Sequence, residues 1–515
     1  MKNSICIVGL LLYAGSALGQ ADIYAGDAFR YSELTQTGTA RMRALGGNHA
    51  SLGGDASSTF GNPAGLGFYN RSEISLSPSF NIINAQATYI GNQETNSATK
   101  PSISHFGVVL AGNKQSDNRR WRRTALGITY NRQVSLANQF VFQGRNNRSS
   151  IVDSYIVDAN NRNLNGDQMN AQYDPNTYTA NFTSAAAYQL FLINGTQSPS
   201  NPNQTGPPYF RYDATAPTDQ RNTFESSGGQ SQWTIAYAGN LDDKLYIGAS
   251  LGLSRLRYDF ENVYRETVVG GLVLDNYSQI DNLTVTGTGI NFSAGVIYKP
   301  DRNVQLGANL STPTFTSVKE SFEQTLRAIA KDPNLPLERN EVLVAPNDFD
   351  YSLTTPFRAS GGVTYFLGSG KIGFITASAD YVGYSGMRVT TKVYNTQDNT
   401  DFKNDVKAEV QNTYKNVVNL RAGAEIRAGL LRVRGGVAYL PDPYKVQLNN
   451  IDRSRLLISG GLGLRTDRFF VDASGTYGAS KSAYTPYTLP NTADYASAQI
   501  DTKLTNITLS VGAFF

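Results

Sequence analysis

The sequence holds one cysteine, two histidines and two tryptophans in 515 residues. The cysteine, Cys6, sits in an apolar leader, so the chain beyond it has no thiol for a disulfide or a cysteine metal site. Two histidines, His49 and His105, are too few for a metal cluster, and no HExxH, GxSxG or Walker pattern occurs. We therefore expect no cofactor, no metal and no enzymatic activity. Charge of one sign is lacking too. The net charge is +4, with no basic stripe interleaved with aromatics, so nucleic acid is not an expected partner. Long apolar runs are absent apart from the leader. There, "MKNSICIVGLLLYAGSALGQAD" combines Lys2, the run Ile5 to Leu12 and a small-residue site at Ala17-Leu18-Gly19. It reads as a secretory signal peptide over residues 1–19, too short for a finished membrane helix. No cysteine stands at the cleavage point, as a lipoprotein would require. Nothing later approaches the roughly 20 apolar residues of a membrane helix. A secreted soluble protein or an outer-membrane barrel remains.

What is present is alternation. Leu245, Ile247, Ala249, Leu251 and Leu253 alternate with Tyr246, Gly248, Ser250 and Gly252. Ile290 to Tyr298, Val304 to Leu310 and Val418 to Ile426 repeat the pattern, as does the final "ITLSVGAFF", Ile507 to Phe515. About 14 such strands are expected, many near the 9–11 residues that cross an outer membrane at a tilt. Tyr130, Tyr237, Tyr298, Tyr365, Tyr439 and Tyr477 fall near strand ends, where an interfacial girdle would lie.

Connections separate the two possibilities. After strands 4, 6, 8, 10 and 12 come "GNLDDK", "KPDRN", "GSGK", "AGL" and "TDR". After odd strands the gaps are long: about 143–230, 261–280, 316–350, 385–408, 441–455 and 479–500. Short turns at one end and long loops at the other mark an antiparallel outer-membrane barrel. A soluble sandwich would show turn signals at both ends. One even connection, "GNKQSDNRRWRRT" (112–124), is long and basic. The expected fold is all-β: a 14-stranded antiparallel transmembrane barrel over residues 74–515, with 143–230 and 316–350 its longest loops. Its last strand should pair with its first, leaving no edge.

Residues 20–73 do not alternate. They crowd Gly46, Gly47, Gly53, Gly54, Gly61, Gly65 and Gly67 around Ala44, Leu45, Leu52 and Leu66. The stretch is too short for its own core. A plug in the lumen is the expected role, and His49 would be a plug residue; the alternative is a periplasmic tail. His105 falls on the polar side of its strand and reads as a satisfied lumen histidine. "GNPAGL", Gly61 to Leu66, resembles the Asn-Pro-Ala motif of FadL-type outer-membrane transporters of long-chain fatty acids and aromatic hydrocarbons. Further echoes are "FSAGVIYKPDRNVQLGANLSTPTF", "TPFRASGGVTYFLG", "VRGGVAYLPDPY" and "LLISGGLGLRTDRFFVDASGTYG". The long external loops match poorly. The resemblance implies that residues 20–73 form the hatch, with Asn62, Pro63 and Ala64 its motif. It also implies ligand capture at external loops, an internal pocket, and sideways release at a kinked third strand.

Two further groups stand out. Arg421, Glu425 and Arg427, with Arg432 and Arg434 across a tight turn, fall on the polar face near the short-turn end. An arginine there could receive a carboxylate head group through two parallel hydrogen bonds or anchor the hatch. A structural ladder of lumen charges is the plainer reading. In the loop at 143–230, "NFTSAAAYQLFLI" suits a short amphipathic helix. Phe182, Tyr188, Phe191 and Leu192 could form a landing patch for a greasy ligand, or cover the barrel mouth. The expected function is uptake of hydrophobic compounds across a Gram-negative outer membrane. The protein is expected to be a monomer, its partners outer-membrane lipid, a hydrophobic small molecule and the barrel assembly machinery. A non-transporting barrel that docks secretion or surface-attachment partners is the alternative.

Overall fold

The computed structural model describes residues 17–33, 35–112, 120–199, 201–335, 337–447 and 450–515. Most of the signal-peptide reading, residues 1–16, lies outside the described residues, as does 113–119 of the basic connection.

A 14-strand antiparallel barrel forms the body of the molecule. In chain order its strands begin with β1 (Glu73–Tyr89), β2 (Asn92–Ala111) and β3 (Trp121–Ser135, resumed as Asn138–Asn146). There follow β4 (Thr218–Leu241), β5 (Leu245–Val268), β6 (Leu274–Tyr298) and β7 (Val304–Ser311, resumed as Phe315–Ala330). Next are β8 (Glu341–Thr354, resumed as Arg358–Leu367), β9 (Gly373–Val382, resumed as Arg388–Thr391) and β10 (Val417–Ala428). The last four are β11 (Leu431–Leu440), β12 (Arg455–Arg465), β13 (Phe469–Tyr484) and β14 (Ala498–Phe514). β14 pairs with β1, setting Phe514 opposite Glu73. Ser72 and Phe515 exchange backbone hydrogen bonds of 3.0 Å. The first and last strands close the wall there.

Alternation follows the faces of the wall. On β1, Ile74, Leu76 and Phe80 point outward and are exposed, while Ser75, Ser77 and Ser79 are buried inside. On β5, Ile247 and Leu253 face out, and Gly248, Ser250 and Gly252 face in. Tyr237, Tyr298, Tyr365, Tyr439 and Tyr477 are all exposed on the outer face. An apolar belt with small polar residues behind it is the pattern of a barrel in a bilayer. No helix among the described residues is long and apolar enough to cross a membrane.

Above the belt the pattern inverts. Past Ser254 the outward positions of β5 become Arg255, Arg257 and Glu261, and the inward ones Leu256, Tyr258 and Phe260. The strand continues in the same ladder, pairing to Val268. Its surroundings change from hydrocarbon outside to water outside. The inner face then holds a large apolar cluster that includes Phe140, Phe142, Phe224, Phe260, Phe322 and Phe349.

This inversion corrects the expected loops. The stretch read as loop at 261–280 is strand up to Val268 and again from Leu274. That at 316–350 is β7 to Ala330 and β8 from Glu341, leaving only 331–340 between them. In 143–230, β4 already begins at Thr218. The remainder carries α4 (Ile151–Arg162), α5 (Gly166–Asn170) and α6 (Thr183–Gln189), with α3 (Ser58–Gly61), α2 (Ala40–Ala44) and α1 (Ala17–Arg30) preceding the barrel. The segment expected at 385–408 forms part of β9 and then α7 (Thr396–Thr413). A search for apolar residues on the outer face stops where the outer face turns polar.

The helices at the long-loop end are locally encoded. Ser150 and Asp153 form a capping box at the start of α4, and Asn163 ends it in the left-handed conformation. α7 starts on an Asn395 cap and buries Phe402, Val406 and Val410 at helical spacing. These residues pack beside Tyr24, Ala25 and Ala28 of α1 in the same apolar cluster. Farther along, α2 lies against the inner wall: the Ala40 N–H donates to Ser510 at 2.7 Å, and Arg43 to Asn506 at 2.8 Å.

Candidate functional site

Asn62, Pro63 and Ala64 sit where the N-terminal segment meets β5, β6 and β7. Asn62 caps the 3-10 turn Pro63–Phe68 by accepting from the Ala64 N–H at 3.1 Å, and proline fits the first position because it has no N–H to satisfy. The other end of the Asn62 amide donates to the carbonyls of Ala50 (2.6 Å), Ala308 (3.2 Å) and Val296 (3.4 Å). Ala64 is fully buried against Tyr246 and Ile297. Glycines stand at the inward positions that this segment presses on. A Cβ on Gly307 would overlap the Ala50 carbonyl oxygen, and one on Gly423 would lie 2.7 Å from that of Leu45. The sequence signal of small inward residues thus records backbone pressed against wall.

The arginines on β10 and β11 divide into two sets. Arg434 is buried and donates to Glu425 (2.7 Å) and Asp472 (2.5 Å), and Arg427 donates to the other Glu425 oxygen at 2.8 Å. Arg41 of α2 approaches Glu425 at 3.7 Å. Arg421 donates to Asp380 (2.6 Å) and to the Gly46 carbonyl (2.8 Å). Arg432 stands apart, donating to the carbonyls of Gly429 and Leu431 in its own turn. Asp472, Asp380 and Arg41 come from distant parts of the chain, and no local spacing announces them. Asp55, burial notwithstanding, is held below the usual carboxylate range by Arg41 and by the hydroxyls of Ser57 and Thr39.

His105 donates or accepts at 2.8 Å with Asn131 and lies 3.3 Å from Ser75. His49 is packed edge-on against Phe60, and burial pushes its imidazole down to about 4, so it is neutral. Among the described residues there is no cluster of three or more metal-ligating side chains.

β3 is broken at residues 136–137. Its ladder with β2 runs only from Ala111–Ala125 to His105–Asn131, although β1 and β2 stay paired to the tip at Tyr89–Asn92. Above Asn131 the two strands therefore part. Farther up, Gln143 rejoins them through its side chain to Glu94 at 2.6 Å. On the far side, β4 bulges toward the break: Gly228 accepts from the Leu136 N–H and the Arg132 guanidinium, with φ +97 and no room for a Cβ beside the Arg257 carbonyl.

Behind the parting lies a compartment of about 120 Å³, partly open to solvent, lined there by Ser102, Arg132, Val134 and Ala137. Leu457, Leu504 and Ile83 give it apolar wall, and Arg43 of α2 a charge. Arg43 is buried and donates to Asn506 (2.8 Å) and to the Gly38 carbonyl (3.3 Å). Burial alone acts on its guanidinium and pushes it down to about 10. Sequence reading did not single out Arg43, because no periodicity marks the segment that carries it. A second compartment, on the other side of residues 35–37, is lined by Gln133, Gln232, Asn291, Asn309, Arg358 and Arg421 and is polar rather than dry.

Of the four loop residues expected to catch ligand, Leu192 is buried, and Phe182, Tyr188 and Phe191 are half-buried. The Arg162 guanidinium covers the Phe182 ring at 3.7 Å. Ala185, Ala186 and Ala187 turn inward in the same apolar cluster as Tyr155 of α4. Their helix, α6, packs against β7 and β8, with Thr183 donating to Gln324 at 2.6 Å.

No family model matches the chain, and neither does any curated protein. Solved structures do. A Pseudomonas aeruginosa FadL homologue superposes with a TM-score of 0.54 at 14% identity, over 93% of this chain and 99% of its own. The P. putida toluene transporter TodX gives 0.51 at 13% identity over 93% and 99%. The Ralstonia pickettii toluene transporter TbuX gives 0.50 at 14% identity, with the same coverage. The fold is the FadL-type barrel. At these identities the likeness is one of architecture, and it spans the whole of each neighbour.

Proposed function

We propose that this protein takes up hydrophobic compounds across the outer membrane of a Gram-negative cell, releasing them sideways where β2 and β3 part. The carrying observation is that parting, with a compartment directly behind it. A greasy molecule leaving there enters lipid without crossing water. Residues 20–73 act as the hatch, held by Asn62, Arg421 and the Arg41–Glu425 approach, and a ligand passes once that segment shifts. Phe182, Tyr188, Phe191 and Leu192 belong to the outer cover that a ligand meets first.

Arg43 favours an acid over an unsubstituted arene. A buried guanidinium without a carboxylate gains from a long-chain fatty acid's head group, while the chain lies along Leu457, Leu504 and Ile83. The toluene named for TodX and TbuX offers no such charge.

The test uses the protein in liposomes. Extending the His105–Asn131 register sets Ser104 across from Arg132, so the pair Ser104→Cys with Arg132→Cys can be oxidised shut. Oleate transfer should fall at least about tenfold on oxidation and return on reduction. Transfer unaffected by the cross-link would remove the sideways route. Arg43→Met should weaken oleate binding by roughly 10- to 100-fold, the worth of a hydrogen bond to a charged group, and leave toluene binding unchanged. Passage of small sugars at porin-like rates would instead mean an open pore.

A further inference from the structure

The short-turn rim carries a charge pattern that uptake does not use. Arg71, Arg120, Lys244, Arg302, Lys371 and Arg468 are exposed there. The exposed acids of the same turns are Asp242, Asp243, Asp301 and Asp467. Three of these are engaged locally. Asp242 lies 3.5 Å from Arg120, Asp243 accepts from Asn240 at 2.6 Å, and Asp301 accepts the N–H groups of Asn303 and Val304 at 2.6 and 3.0 Å. Lys244, Arg302, Lys371 and Arg468 have no ion pair within the protein among the described residues.

These four cations lie in the short turns, beside the ends of their strands. Lys244 precedes Leu245, the first residue of β5, and Arg302 follows Tyr298 by four positions. Lys371 immediately precedes Ile372, and Arg468 immediately precedes Phe469, both exposed on the outer face. Trp121, 48% exposed, lies between Arg120 and Arg122 and covers Gly239. Aromatic belt residues settle at head-group level. Each cation is thus within a few residues of that level, and a strand rises only about 3.3 Å per residue. The opposite collar differs. There Arg257 pairs with Asp259 at 2.8 Å, Arg145 with Asp219 at 2.8 Å, and Lys100 with Glu225 at 2.9 Å.

We infer that the short-turn rim is a binding surface for anionic phospholipid head groups of the leaflet it faces. A phosphate at that height meets several cations that the protein leaves unneutralised, and head-group attraction of this kind falls off within a Debye length. The inference rests on the barrel's position in a bilayer and not on what it carries, so the two can fail separately.

The experiment is native mass spectrometry of the barrel released from nanodiscs of equal phosphatidylglycerol and phosphatidylcholine. Phosphatidylglycerol should be retained at least about fivefold over phosphatidylcholine, and the preference should shrink as salt is raised before release. In the fourfold variant Lys244→Gln, Arg302→Gln, Lys371→Gln, Arg468→Gln the two lipids should be retained equally. The variant's heat-modifiable gel mobility reports that it is folded. Arg255→Gln with Arg257→Gln, on the opposite collar, should leave the preference unchanged. No preference in the parent protein, a preference that survives the fourfold change, or one lost in the collar variant would overturn the inference.

Discussion

Arg421 on β10 and Gly46 in the N-terminal segment are joined by a 2.8 Å hydrogen bond across 375 positions of sequence. The same guanidinium holds Asp380 on β9. One side chain thus ties the wall to the segment inside it. Arg421→Ala should loosen that segment by about 1–3 kcal/mol, because Asp380 loses its charge partner and the Gly46 carbonyl its donor. Hydrogen exchange at residues 46–50 should rise while that of the barrel strands holds. Unchanged protection at those amides would show that the bond carries no weight.

Arg434 answers to two buried carboxylates at once. Arg434→Met would leave Glu425 and Asp472 facing each other with only Arg427 and Arg41 nearby. Breaking one partner of such a network costs about 3–5 kcal/mol. The urea midpoint in detergent should fall accordingly. Adding Glu425→Gln and Asp472→Asn to Arg434→Met should recover part of the loss, since uncompensated charge is its main source.

Gly307 has no space above it. Gly307→Val would drive side-chain atoms into the Ala50 backbone, and the cost of such overpacking is about 1–3 kcal/mol. The strain falls on the docked segment rather than on the strand ladder. We expect larger single-channel currents in planar bilayers with normal heat-modifiability. The same change at Gly361, where nothing stands within 4 Å, should be silent.

Docking of α1 should depend on pH. Burial, and then the nearby Glu409 of α7, raise Asp22 from 3.8 to about 7. A carboxyl raised in the docked state favours docking below its free value and opposes it as pH climbs. Contact between α1 and α7 should therefore be strongest below about pH 4 and weaken as pH rises through about 7. Thiol labelling of an Ala25→Cys variant would report it, rising with pH. Asp22→Asn should flatten the profile.

Much of this architecture was legible. Strand number, the tight turns and the closing role of the last strand follow from outward apolar residues and turn chemistry, both local signals. The parity of Arg421, Glu425, Arg427, Arg432 and Arg434 was legible too, though Arg432 turns out to serve its own turn. Their partners were not, because Asp380, Asp472 and Arg41 are brought in by closure of the barrel and by a segment without periodicity. The hairpin at Ile90 and Gly91 was hidden for another reason. Residues 84–102 carry polar side chains outward, which reads as loop to any rule that seeks hydrocarbon-facing strands.

The change of character at Ser254 and Arg255 works as a waterline drawn on the molecule. A barrel of uniform greasiness could bob in its membrane by several ångströms at little expense. Here an outward slide of two residues would lift Leu253 into water, and an inward one would drown Arg255. Immersion depth is written into single strands, so the gap beside β3 stays at a constant level relative to the lipid around it.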